Sequence, residues 1–258
     1  MINNKKILSV VLARAGSKGV KGKNYRPLIG VPLICWSICS SLRSKYVDLT
    51  VVSSNCRYIK DITFNIIDKL KKNEVNEPRI FFDLIKSRNL EFIQRPDEYA
   101  TDISKNEEAL KHAYEYSKRQ FNFDADIIVN LQPTSPIRDT RDSVLLDDCL
   151  EKMENEKADS LFAVKKCTPF FVHEEHGEYI MNNKTLLKNR PMRQELNLQD
   201  WFLHDCGNVY LTNSSILLSE NNRIGPNFTV FVLDQKRSLQ IDSELDFMII
   251  EEVMKEFL

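Results

Sequence analysis

Between Arg14 and Arg26 the chain gathers the residue types that hold a polyanion. Five Lys or Arg (14, 18, 21, 23 and 26) and no acid fall within these thirteen residues, together with three of the protein's seven glycines, at 16, 19 and 22. Glycine lets backbone N–H groups converge on an anion with no Cβ in the way. The cations supply countercharge for the several negative charges of a polyphosphate. The loop follows Ile7–Leu12, which reads as a strand, and ligands of open α/β sheets sit at the carboxyl ends of strands. No Gly-Lys-Ser/Thr closes it, so it is not a Walker A sequence, and its glycines do not fit a dinucleotide fingerprint. A merely solvated basic loop has no use for so many glycines. The expected ligand is a nucleoside triphosphate.

A second block, Gln132-Pro133-Thr134-Ser135-Pro136-Ile137-Arg138, reads as a strand-end loop whose two prolines fix the backbone and remove donors. Gln132 offers both a donor and an acceptor, which suits the hydroxyl groups of a sugar. Thr134 and Ser135 either share that contact or stabilise the turn with their side chains.

Four blocks in order carry a resemblance: Val11-Leu12-Ala13-Arg14-Ala15-Gly16-Ser17-Lys18-Gly19 through Lys23-Asn24, Arg95-Pro96-Asp97-Glu98-Tyr99-Ala100-Thr101-Asp102, Leu131 through Arg138, and Ile241-Asp242-Ser243-Glu244-Leu245-Asp246-Phe247. Together they resemble the acylneuraminate (CMP-sialic acid) cytidylyltransferase family, and the resemblance spans nearly the whole chain. It implies a mostly parallel, Rossmann-like α/β sheet of the nucleotide-diphospho-sugar transferase type with helices on both faces, plus a small dimerisation insertion. It also implies transfer of CMP from CTP to the anomeric hydroxyl of an acidic 2-keto sugar, with Mg²⁺ and release of pyrophosphate. Such a displacement needs charge neutralisation and alignment more than covalent chemistry.

On this resemblance Arg14 and Lys23 would hold the phosphates and Gly16, Ser17, Lys18 and Gly19 would cradle them. The base would lie against Ala13–Ala15, and Asn24, Arg95 and Asn106 would help seat the nucleotide. Gln132, Thr134, Ser135, Arg193, Gln194 and Tyr210 would face the sugar acid, where a guanidinium fork matches a carboxylate; Arg190 lies close by. Asp242 would be the metal carboxylate, with Gln240 and Asp246 as weaker candidates. Mg²⁺ is usually held by one or two carboxylates plus substrate phosphates and water. Asp242, or Ser243 with Asp246, could instead start the last helix.

The chain departs from the family at Gln240, where an Asp is usual, at Asn106 in place of Ser, and at Cys206-Gly207 in place of Asn-Gly. Residues 57–89 are expanded by some twenty residues relative to the family pattern, and the Arg193–Gly207 spacing is longer. These changes concentrate at the sugar end. Sialic-type nonulosonic acids, Kdo and simple sugar phosphates therefore stay open as acceptors, as does a non-catalytic nucleotide binder with a weakened metal site.

The elements that must position these residues alternate between strand and helix. Strands are expected at Ile7–Leu12, Leu49–Ser53, Leu90–Gln94, Asp126–Leu131, Leu161–Val164, Asn208–Thr212 and Phe228–Leu233. Helices are expected at Pro32–Arg43, 57–71, Ser104–Arg119 with a Ser104/Glu107 capping box, 141–153, and from Ser243. This alternation argues a mostly parallel sheet covered on both faces. Lys69–Pro78 reads as a charged surface loop. The polar stretch 159–206 reads as a dimerisation subregion of one domain over 1–258, with Phe170, Phe171, Trp201 and Phe202 suited either to an interface or to the core.

Composition excludes other classes. Charged residues are 28% and the hydrophobic class 42%, which is ordinary for a globular chain. No apolar run of membrane-spanning length occurs, and the first residues lack a secretory pattern, so the cytoplasm is expected. Cys35 and Cys39, four apart on a helix, read as small buried hydrophobes. The net charge of −1 argues against general nucleic-acid affinity. That charge is unevenly spread: nine Lys/Arg precede the first acid, Asp48, whereas residues 242–256 hold six acids and one Lys.

Overall fold

Runs rich in Val, Ile and Leu build a central sheet in the computed structural model, which describes residues 2–16, 19–72, 85–86, 89–140, 142–181, 191–196 and 201–256. The strands are β1 (Ile7–Leu12), β2 (Pro27–Leu28), β3 (Val31–Pro32), β4 (Leu49–Ser54), β5 (Leu90–Gln94), β6 (Ile127–Leu131), β7 (Ser160–Cys167), β8 (Val172–Glu175), β9 (Glu178–Met181), β10 (Phe202–Asn213) and β11 (Phe228–Leu233). The helices are α1 (Leu33–Arg43), α2 (Arg57–Lys72), α3 (Asn106–Gln120), α4 (Leu145–Asn155), α5 (Ser214–Glu220) and α6 (Glu244–Lys255). Seven strands form one sheet in the order β11-β7-β10-β6-β1-β4-β5. Within it β10 alone runs against the rest.

Both faces of the sheet are covered, as the alternation of elements predicts. On one side Ile34, Ile38 and Leu42 of α1, Ile59 and Ile66 of α2, and Leu146 and Leu150 of α4 close over Ile7, Val11, Val129 and Leu131. On the other, Leu110, Ala113 and Tyr114 of α3 and Leu217 of α5 meet Leu8, Val10 and Ile128. Each fully buried aliphatic side chain contributes roughly 1.5–3 kcal/mol. Cys35 and Cys39 are buried in the first of these layers.

A third cluster joins the two ends of the sequence. Val20, Leu28 of the β2–β3 hairpin, and Leu33 and Trp36 of α1 pack with Ile241 and with Phe247, Ile250 and Met254 of α6. The strand order then places a crevice. From β1 the chain moves outward through β4 to β5, and α3 carries it back to β6 on the opposite side of β1. That reversal between β1 and β6 is the switch point at which ligands of such sheets bind.

Several sequence expectations shift. The cap of α3 is Lys105, whose N–H donates to Glu108 at 3.2 Å; Ser104 is instead hydrogen-bonded to the Thr101 hydroxyl at 2.6 Å, so the Ser104/Glu107 box does not form. The fourth helix starts at Leu145, later than position 141. The stretch 159–206 is less irregular than it reads: β7 and β10 are eight and twelve residues long and belong to the main sheet. Between them β8 and β9 make a separate hairpin, whose turn residues His176 and Gly177 both have positive φ (54° and 83°), the type I′ geometry that matches strand twist. Helix α2 runs on to Lys72, and residues 73–78 of the expected charged loop lie outside the described residues. Among the described residues no helix is long and apolar enough to cross a membrane.

Candidate active site

At the carboxyl ends of β1, β5 and β6 lies a cleft of about 320 Å³. One wall is cationic, formed by Arg14, Lys23 and Arg95 with Gly19 and Asn24. The other is uncharged: Leu12, Asn130, Gln132, Pro133 and Thr134, with Asn106 from the first turn of α3. Asp242 completes the rim and is the one carboxylate on the lining among the described residues.

The cationic wall depends on contact between chain ends. A Cβ on Gly19 would come within 2.0 Å of the Asp242 carbonyl oxygen, so only glycine permits this approach. Lys23 donates to the Ile241 carbonyl at 2.7 Å and lies 3.5 Å from the Asp242 carboxylate. Burial pulls the Lys23 ammonium below its ordinary value of 10.5; Asp242 opposes this shift and Arg14 adds to it. Arg26 pairs with Glu244 at 2.5 Å and lies over the Phe247 ring at 4.1 Å. The basic start and the acidic end of the sequence are thus the two sides of one joint.

Arg14, on the cleft lining, is engaged by the loop after β5. Its guanidinium donates to Asp102 at 2.7 Å and to the Thr101 carbonyl at 2.8 Å. Both partners are partly exposed, and such a pair is worth about 0–1 kcal/mol, so it is readily exchanged. Arg95 is buried against Ser53, at 3.2 Å to its hydroxyl and 2.5 Å to its carbonyl. Burial, with Arg14 nearby, lowers it to about 10, and it stays cationic near neutral pH. The amide of Asn24 donates to the Arg14 carbonyl at 3.2 Å and fixes the start of the loop.

The uncharged wall is braced from behind by Arg138, which is fully buried. Its guanidinium donates to the Ser37 hydroxyl at 2.8 Å, to the Asn208 carbonyl at 3.1 Å and to the Gln132 carbonyl. Ile241 N–H donates to the Thr134 carbonyl at 2.9 Å, which ties this wall to the Asp242 segment. Gly207 has φ +59°, and a Cβ there would meet the Gln240 amide nitrogen at 2.2 Å and the Gln132 amide oxygen at 3.2 Å. The two glutamine amides therefore converge over Gly207.

Arg14, Gly19, Lys23, Asn24, Arg95, Asn106, Gln132, Thr134 and Asp242 meet in the cleft as the sequence suggests. Others do not. Ala13 is buried in the core and its N–H is taken by the Ser53 carbonyl; the Ala15 N–H is taken by the Asn55 side chain. Neither N–H is free to meet a base. Ala15 and Gly16 are exposed and do not line the cleft. Ser135 is fully buried in the turn and does not line the cleft. Tyr210 is buried too, its hydroxyl spent on Asp205 at 2.7 and 2.9 Å and its ring against Arg223; it does not reach the cleft. Gln194 sits on an exposed single turn, Arg193–Glu195, away from the lining. Ser17, Lys18, Arg190 and the Arg193 side chain lie outside the described residues. Sequence reasoning missed Leu12 and Asn130 as lining residues; the signal for Asn130 is one amide inside the apolar strand Ile-Ile-Val-Asn-Leu.

The donor set fits Mg²⁺ through one carboxylate. Asp242 is open to solvent at the rim. Asp246 is not equally available, because its Oδ2 accepts from Asp242 N–H, Ser243 N–H and the Ser243 hydroxyl and so closes the capping box of α6. Gln240 faces Gly207 and does not line the cleft. No cluster of three or more His, Cys, Asp or Glu able to hold a metal occurs among the described residues; one carboxylate with substrate oxygens is the arrangement left.

A family model described as Cytidylyltransferase matches residues 8–69, the span from β1 through most of α2. Post-translational flagellin modification protein B of Campylobacter coli is 24% identical over 255 residues, covering 97% of this chain and 95% of that one. Pseudaminic acid cytidylyltransferase of Campylobacter jejuni is 28% identical over 246 residues, covering 93% of each. The chain is thus similar to cytidylyltransferases, through the family model at its amino-terminal end and through these relatives over nearly its whole length. A solved structure titled CMP:2-keto-3-deoxy-manno-octonic acid synthetase complexed with CTP shares the fold at a TM-score of 0.65, with 15% identity over 98% of this chain and 100% of that one.

The span matched by the family model includes Gly19, whose contact with Asp242 is directly testable. Gly19→Ala is expected to cost about 1–3 kcal/mol, the range for forcing extra atoms into a packed contact. Denaturant unfolding would measure it; unchanged stability would show that the two segments separate freely.

Proposed function

We propose that the chain transfers CMP from CTP to the anomeric hydroxyl of a nonulosonic, sialic-type 2-keto acid sugar and releases pyrophosphate. The observation that carries this is the cleft at the switch point, with cations on one wall, amides on the other and a lone carboxylate between them. The anomeric oxygen attacks the α-phosphorus, its proton is lost, and the bond to the pyrophosphate oxygen breaks. Lys23, fixed by the Ile241 carbonyl, meets the charge that develops on the phosphates. Arg14 leaves Asp102 to join it, and Arg95 supplies a third positive charge from below. Asp242 would hold Mg²⁺, which would supply charge neutralisation to the triphosphate. The homodimer expected from the resemblance suits the exposed start of β10, where Phe202 and Leu203 are 45% and 48% exposed and Phe202 contacts Phe171 edge-on; the cytoplasm remains the expected compartment.

The test is pyrophosphate release from CTP and Mg²⁺ with a panel of acids: sialic, legionaminic, pseudaminic and Kdo. Release with a nine-carbon acid is expected. Release with Kdo alone would move the acceptor to the eight-carbon class, and none with any acid would overturn the transferase reading. A second reading, a nucleotide binder without turnover, is favoured by one observation: Gln240 brings no charge beside Asp242. The variant Gln240→Asp separates the two. In an active transferase the added carboxylate is expected to lower the Mg²⁺ concentration for half-maximal rate several-fold, because ligand charge sets affinity for hard cations. Activity appearing only in the variant would establish the second reading.

A further inference from the structure

We propose that Asn130 reads the nucleoside end of the bound nucleotide, an inference that rests on the CTP reading above. Asn130 is 1% exposed, and neither its amide nitrogen nor its amide oxygen has a hydrogen-bond partner. A buried amide with both ends empty is a rare and costly arrangement in a folded protein. Its cross-strand partners do not relieve it. Across β1 the paired residue is Val10, and across β10 it is Tyr210, whose hydroxyl is committed to Asp205. The side chain lies on the α3 face of β6, between the inward-facing Ile128 and Gln132, and it lines the cleft. Its place on the cleft lining points to a ligand as the partner it lacks.

Position within the cleft identifies which part of the ligand. The phosphate end is marked by Arg14, Gly19, Lys23 and Asp242 at the rim. Asn130 sits two residues further down its strand than Gln132, in the part of the cleft that holds Leu12, Asn106 and Arg95. An apolar side chain beside two carboxamides and a guanidinium suits a flat heterocycle on its ribose, with adjacent donors and acceptors at its edge. The backbone N–H groups of Ala13 and Ala15, the alternative reading surface, are already occupied. A free amide donor and acceptor side by side matches either the amino and ring-nitrogen edge of cytosine or the ribose diol.

The experiment compares wild type with Asn130→Leu, which has nearly the same shape and no hydrogen-bonding groups. Affinities for CTP, UTP, 2′-deoxy-CTP and inorganic triphosphate would be measured by calorimetry, and ligand-free melting would be followed alongside. CTP affinity is expected to fall about tenfold, the scale of one lost buried hydrogen bond, with triphosphate affinity unchanged. The ligand-free variant is expected to melt at the same temperature or higher, since an unpaired buried amide has been removed. A loss confined to discrimination against UTP assigns the base edge, and a loss confined to discrimination against 2′-deoxy-CTP assigns the ribose. Unchanged CTP affinity, an equal loss for triphosphate, or a raised KM for the sugar acid alone would overturn the proposal. Failure of wild type itself to bind CTP would instead overturn the reading on which it rests.

Discussion

Replacing Lys23 by Met is expected to lower cytidylyl transfer about 10²–10³-fold, the cost of removing one fixed group that stabilises charge in a transition state. The ammonium is held by the Ile241 carbonyl at 2.7 Å and faces the cleft beside Asp242. The loss should fall on kcat more than on CTP affinity, because Arg14 and Arg95 remain to bind the triphosphate. The pH profile gives a second reading of the same residue. Burial pulls the Lys23 pKa below 10.5, so its protonated form is lost, and the alkaline limb of activity begins, at a lower pH than for an exposed lysine. Lys23→Arg, which keeps its proton, should remove that limb even where its rate is reduced. A Met variant with the wild-type rate would remove Lys23 from the chemistry.

The second large effect concerns stability. Arg138→Ala is expected to destabilise the fold by about 2–5 kcal/mol, the range for truncating a large, fully buried side chain. Its guanidinium serves Ser37 on α1, the Asn208 carbonyl on β10 and the Gln132 carbonyl on the cleft wall. Truncation strands those acceptors and leaves a cavity between three elements. The expected readout is a lower urea midpoint with an unchanged slope, together with a higher KM for the acceptor, since Gln132 loses its brace. A variant of wild-type stability would show that water replaces the guanidinium at no cost.

Much of the frame is legible in the residues themselves. β1, β4 and β6 declare themselves because buried parallel strands need near-continuous apolar runs, and the partly exposed edge strands β5 and β11 through their aromatic and β-branched residues. The hairpin β8–β9 does not, since its faces are largely exposed and its sequence His-Glu-Glu-His-Gly-Glu carries no apolar alternation. The first half of β10 is hidden for the same reason: Phe202 to Asp205 are all exposed. Ser104 and Lys105 each precede a glutamate by three residues, and the choice between them was made by Thr101, a contact that spacing cannot reveal.

In the site, loop composition identifies the cations and the last block identifies Asp242. What composition cannot do is separate neighbours within one block. Thr134 reaches the cleft and Ser135 next to it is buried; Arg14 reaches it and Ala13 is core. The pleat and the turn decide such pairs. Asn130 was within reach of the sequence, because a carboxamide in the middle of an apolar strand requires a partner that the strand does not supply.

The joint between Gly19 and the 241–242 backbone also fixes when the cleft can exist. Lys23 and the carbonyl that holds it are 218 residues apart, and a chain emerging from the ribosome presents the loop long before its counterpart. The sheet can condense from β1, β4, β5 and β6 while the cleft still lacks a rim. Closing so long a loop adds little to the equilibrium cost, since closure entropy grows only with the logarithm of length, but it delays the step, because distant contacts form late. A nucleotide bound as proposed is therefore expected to stabilise only molecules in which α6 has docked.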